Sequence, residues 1–118
     1  MQNIIFHSKS CSTNQRILKE WQPNSDIFSF CDIKTEGIST EQLDHLATLA
    51  GSYEALFSRV ARKYRAQNLH EKTLTEADYR SLMLEEYTFM KRPIAVVNNQ
   101  VFVGNAPKTV EAAKEAMR

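Results

Sequence analysis

Cys11 stands in the polar run Ser10-Cys11-Ser12-Thr13, just after an apolar stretch and just before a helical pattern. That placement suits nucleophilic chemistry. The thiolate is the reactive form of cysteine, and the unpaired amide N–H groups of a helix N-terminus favour a negative charge beside them. The plainer alternative is a half-buried thiol without a role, although the polar neighbours argue against an inert core cysteine. His7, at the end of the apolar stretch, either carries an imidazolium that favours the thiolate or simply finishes a strand. Cys31 falls on a second strand, where a cysteine packs as a small apolar residue. Three histidines and two cysteines without ligand spacing predict no metal site, and His45 and His70 take no role.

Two basic features stand further along. Arg59, Arg62, Lys63 and Arg65 cluster around Tyr64, and a solvated helix face is the default reading of such a cluster. Arg92-Pro93 opens a third strand. Proline is tolerated at the first position of a strand, and X-Pro is the bond where a cis peptide occurs. A backbone turned that way presents its carbonyl and N–H to a neighbouring loop. It serves recognition only if the fold brings Cys11 beside it.

The elements that must position these residues follow from periodicity. Ile4-Ile5-Phe6 reads as a buried strand, Ile17, Leu18 and Trp21 as a helix face ended by Pro23-Asn24, and residues 27–33 as a second strand. Strand, helix and strand within this length make a βαβ unit with parallel strands. Ser39 with Gln42, and Thr75 with Asp78, have the capping-box spacing. Ser52 can cap a short helix through Tyr53, Leu56 and Phe57. Residues 39–88 therefore read as a helical stretch without strands. Residues 94–97 and 100–103 form a hairpin around Asn98-Asn99, since asparagine tolerates the positive φ of a two-residue turn. Pro107 suits the first turn of a closing helix with the face Ala106, Val110, Ala113 and Met117.

The order β-α-β, helical block, β-β-α predicts one α/β domain over residues 1–118, with a four-stranded mixed sheet. At 118 residues and 42% hydrophobic composition the chain can fill a core without a staple. A net charge of +1 gives no electrostatic footprint for nucleic acid or an anionic membrane. No run is long and apolar enough to span a bilayer, and no basic leader precedes an apolar run. The expected compartment is the cytoplasm, where cysteines stay reduced.

The pattern His7-x-x-x-Cys11, Arg59 in Ala-Leu-Phe-Ser-Arg, Lys91-Arg92-Pro93-Ile94 and then Val103-Gly104 resembles the arsenate reductase (ArsC)/Spx family, in order along essentially the whole chain. The resemblance implies a thioredoxin-like fold with a helical insertion between strands two and three, and a cis-proline at Pro93 facing the cysteine. By matching positions, Cys11 would be the nucleophile, His7 a modulator of its ionisation, and Arg59 and Arg92 the clamps on an oxyanion. Guanidinium forks suit a tetrahedral oxyanion.

Three positions depart from the pattern. Asn105 stands where the reductases carry a third anion-binding arginine. Asn14 stands where the Spx-like branch often has the second cysteine of Cys-x-x-Cys. Gln15 occupies the place of an arginine, with Arg16 one residue later. Without a second thiol, Cys11 needs an outside one to resolve its adduct. The resemblance thus implies a monothiol oxidoreductase that acts on an oxyanion or a disulfide. It would bind no cofactor and use glutathione or a glutaredoxin as co-substrate. The alternative is an Spx-like regulator, without enzymatic activity, that binds an RNA polymerase subunit.

Overall fold

The computed structural model describes residues 1–118. Its elements run β1 (Ile4–His7), α1 (Ser12–Trp21), β2 (Ser29–Asp32), α2 (Thr40–Ala50), α3 (Arg62–Ala66), α4 (Glu76–Glu85), β3 (Ile94–Val97), β4 (Gln100–Val103) and α5 (Pro107–Ala116). They group into two compact units, Met1–Gly37 with Arg92–Arg118, and Ile38–Lys91.

The first unit holds the sheet, in the order β2-β1-β3-β4. β1 pairs in parallel with β2 and antiparallel with β3, and β3 pairs antiparallel with β4. β1 and β3 are buried along their whole length, which is why both read as continuous apolar runs instead of alternating ones. Asn98 and Asn99 both take positive φ, 49° and 68°, as the tight turn between β3 and β4 requires. Ile17 and Trp21 of α1 pack with Val110 and Ala113 of α5 against Ile5, Ala95 and Val97 of the sheet. The Trp21 indole N–H donates to the Val110 carbonyl at 3.0 Å and ties the two helices together.

Two local expectations needed correction. The second strand is Ser29–Asp32, shorter than residues 27–33. Asn24 holds the preceding residues in a turn: its carbonyl accepts from the Ile27 and Phe28 amides, and its side-chain oxygen from the Asp26 amide. Ile27 is left exposed. Ala106 is the N-cap of α5 and does not belong to its buried face.

Within the second unit, α2 and α4 each begin with a complete capping box, Ser39 with Gln42 and Thr75 with Asp78. Short 3-10 turns lie at Glu54–Leu56, Leu69–Glu71 and Tyr87–Phe89. The Glu76 carboxylate accepts from the Tyr53 and Glu54 amides and fixes the first of these turns to the start of α4. Arg80 on α4 reaches Asp44 on α2 at 2.7 Å, and the Tyr53 hydroxyl donates to the same carboxylate at 2.6 Å. Phe57 stacks on Phe89 at 5.3 Å and meets Tyr79 at 4.8 Å. A single β-bridge, Phe57 to Met90, accompanies this stack. Thr75→Ala removes one side of a capping box, so its unfolding free energy in urea should fall by about 1 kcal/mol. An unchanged midpoint would show that the cap adds nothing. No helix is long and apolar enough to cross a membrane.

Candidate active site

At His7 the central strand stops and the chain turns through Ser8, Lys9 and Ser10 into α1. The Cys11 amide closes this turn by donating to the Ser8 carbonyl at 3.1 Å. Cys11 is the N-cap of α1, with extended backbone (φ −93°, ψ 114°), and its side chain is half-buried. Neither an acidic residue in the first turn nor a side-chain cap competes for the free amides of α1. Those amides form the electropositive end of α1.

Asn14, three residues into the helix, is buried to 1% exposure. Its side-chain oxygen accepts from the Ser8 amide at 3.0 Å, and its side-chain nitrogen donates to the Cys11 sulfur at 3.4 Å. From the sequence this position registered only as the place of an absent second thiol. The signal available was its spacing, since the third residue of a helix is the one whose side chain reaches back to the N-cap.

His7 is buried, at 4% exposure, and its ring meets Phe30 edge-on at 6.4 Å. Burial lowers its pKa from 6.5; Asp32 and Glu36 pull it upward, and Lys9 adds to the lowering. The Nδ1 atom has no hydrogen-bond partner. An imidazolium at this position is therefore disfavoured, and the neutral ring is the form that the surroundings select. Between pH 7 and 5 the unfolded chain takes up a proton at His7 that the folded chain resists. Stability should therefore fall as pH drops through 6.5 and stop responding to His7 below its folded value. His7→Gln should shrink the difference in urea midpoint between pH 7 and 5. An identical difference in parent and variant would contradict this.

The Arg92–Pro93 peptide is cis. The pairing of β1 with β3 ends at Phe6 and Ile94, so His7 on β1 and Pro93 just before β3 lie at the same end of the sheet. The Pro93 carbonyl accepts from the Gly104 amide at 2.9 Å, and Gly104 has φ 93°, a conformation that suits glycine. His7, Pro93 and Gly104 thus share the end of the sheet from which the chain runs on to Cys11. Arg92 leads into this end and is half-buried.

The remaining candidates have other surroundings. Arg59 belongs to the Ile38–Lys91 unit. Its guanidinium donates to Glu54 at 2.6 Å and to the Tyr79 hydroxyl at 2.9 Å, and lies 5.7 Å from the centre of the Tyr79 ring. Arg62, Lys63 and Arg65 are exposed on or beside α3, with Lys63 paired to Glu86. The Cys31 thiol is buried and donates to the Gly37 carbonyl; burial, with Glu36 and Asp32 nearby, raises its pKa to about 11. It stays a thiol at neutral pH. His45 and His70 are exposed, and no cluster of His, Cys, Asp and Glu is arranged to hold a metal ion.

Solved structures of known proteins share this fold. An arsenate reductase from Vibrio cholerae superposes with a TM-score of 0.77 at 25% identity, covering 95% of this chain and 97% of its own. An arsenate reductase (ArsC) related protein from Brucella melitensis gives 0.69 at 27% identity, covering 95% and 93%. No curated protein matches the sequence. The pattern of the ArsC family matches residues 6–113. A thioredoxin-like mixed sheet, a cysteine at the head of its first helix and this match lead to one assignment: the chain belongs to the ArsC family.

Proposed function

We propose that the chain is a thiol-dependent reductase with Cys11 as its nucleophile. The observation that carries this reading is the half-buried Cys11 at the N-terminus of α1, whose amides no side chain caps, just beyond the end of β1. Two substrate types fit a monothiol site. With a disulfide, the Cys11 thiolate attacks one sulfur and expels the other as thiolate, leaving a mixed disulfide. With arsenate, it displaces hydroxide and forms an S–As bond. An external thiolate then attacks the Cys11 sulfur, the S–As electron pair passes to arsenic, and arsenite leaves. In both cases a further external thiolate attacks the mixed disulfide and releases Cys11.

Glutathione and glutaredoxin are the reductants we assign, because Asn14 supplies no resolving thiol and Cys31 stays protonated. Arg92 and Arg59 are the anion-binding residues, by their match to the family pattern, and the cytoplasm is the compartment. Asn105 brings no charge, so oxyanion binding should be weaker by ~1.5–3 kcal/mol than with an arginine there. A disulfide substrate is less affected. Purified protein supplied with glutathione and glutaredoxin should reduce arsenate or a glutathionylated peptide faster than the thiols alone. No acceleration with either substrate would remove this reading.

One observation favours the Spx-like alternative, a regulator that binds an RNA polymerase subunit. The Arg59 guanidinium is already engaged by Glu54, so an oxyanion would have to compete with a carboxylate. A purified polymerase subunit retained on the immobilised protein, equally with Cys11→Ser, would support it.

A further inference from the structure

Resting on the reading of Cys11 as the reacting group, we propose that Asn14 is a positioning residue that holds the Cys11 sulfur as thiolate, in place of a resolving thiol. The orientation of the Asn14 amide is set by its partners. The Ser8 backbone N–H can only donate, so the Asn14 atom facing it at 3.0 Å must be the oxygen. The nitrogen, which can only donate, is thereby turned to the Cys11 sulfur at 3.4 Å. A donor in this position favours the form of sulfur that accepts best, which is the thiolate. Asn14 itself is 1% exposed, so the donating amide is shielded from water although the Cys11 end of the bond is only part-buried. The Cys11 amide bond to the Ser8 carbonyl closes the loop on its other side. The Asn14 side chain thus links the Cys11 sulfur to the backbone of the turn at Ser8.

The same donor acts at both ends of the reaction cycle. It stabilises the attacking thiolate, and it stabilises Cys11 again as leaving group when an external thiolate attacks the mixed disulfide. Better leaving thiolates leave faster. A second cysteine at this position would resolve the adduct internally. Asparagine does the opposite: it leaves resolution to an external thiol and makes Cys11 easier for that thiol to release.

The test is the rate of Cys11 alkylation by iodoacetamide against pH, read by mass spectrometry of the Cys11 peptide. Two variants separate donor from anchor. Asn14→Asp keeps an oxygen for the Ser8 amide, removes the donor and adds a charge. Asn14→Leu removes donor and anchor and adds no charge. Only the loss of the donor is common to both. The rate at pH 7, as a fraction of its high-pH plateau, should fall about tenfold in each, with the plateau itself unchanged. If either folded variant keeps the parent's fraction, the proposal is overturned. The measurement needs no substrate, so a parent inactive as a reductase but with this pattern would refute the proposed function and leave the role of Asn14 standing. Reductase activity with an unchanged alkylation fraction would do the reverse.

Discussion

Turnover should collapse in Cys11→Ser, by about a thousandfold or more, to the rate of the external thiols alone. Serine keeps the size and position of the side chain and still accepts from Asn14. What it loses is ionisation, since a hydroxyl near neutral pH offers almost no anion. The loss will not come from unfolding, because serine is a better N-cap than cysteine and its oxygen can accept from the uncapped amides of α1. Melting temperature should therefore hold or rise slightly while arsenate and mixed-disulfide reduction both disappear. Residual activity within a few-fold of the parent would mean that the reaction does not pass through this sulfur.

The largest stability effect is expected at Trp21. Trp21→Ala should lower the unfolding free energy by about 3–5 kcal/mol, a large part of the ~5–15 kcal/mol that holds a typical domain. The indole packs in one cluster with Ile17, Phe28, Val110 and Ala113 and adds a second donor to the Val110 carbonyl, which also accepts within α5. Its removal leaves a cavity and breaks the hydrogen bond that ties α1 to α5. Trp21→Phe separates the two contributions, since it keeps much of the volume and drops the hydrogen bond, for about 0.5–1.5 kcal/mol. Urea unfolding followed by circular dichroism measures both, because the variants remove the only tryptophan of the chain. A loss below 1 kcal/mol for the alanine variant would show that α1 is held by other contacts. The helix secured here at its C-terminal end is the one whose other end carries Cys11.

Much of this architecture is legible in the sequence, and the reasons are local. Ile4-Ile5-Phe6 and residues 94–97 announce buried strands because both faces are covered. The two capping boxes are visible because their chemistry is complete within four residues. Where the structure differs from the sequence pattern, a neighbouring group intervenes, as Asn24 does in drawing Ile27 and Phe28 into a turn. The Phe57–Met90 bridge pairs single residues far apart in sequence and has no pattern to reveal it. Cys11, His7 and Arg92-Pro93 stand out through residue type and spacing. The ionisation of His7 does not, because the burial that disfavours its charge comes from the fold. Asn14 was equally hidden: its two partners are within reach only after the chain has turned at Ser8.

The placement of β1 inside the sheet also bears on synthesis. One side of this strand is completed early by β2, but the other must wait for β3, and 61 residues separate Asp32 from Ile94. At ~5–20 residues per second a ribosome needs about 3–12 s to deliver them. For that interval the nascent chain displays an apolar strand with unsatisfied backbone groups along one edge, a template for chaperones or for a second nascent copy.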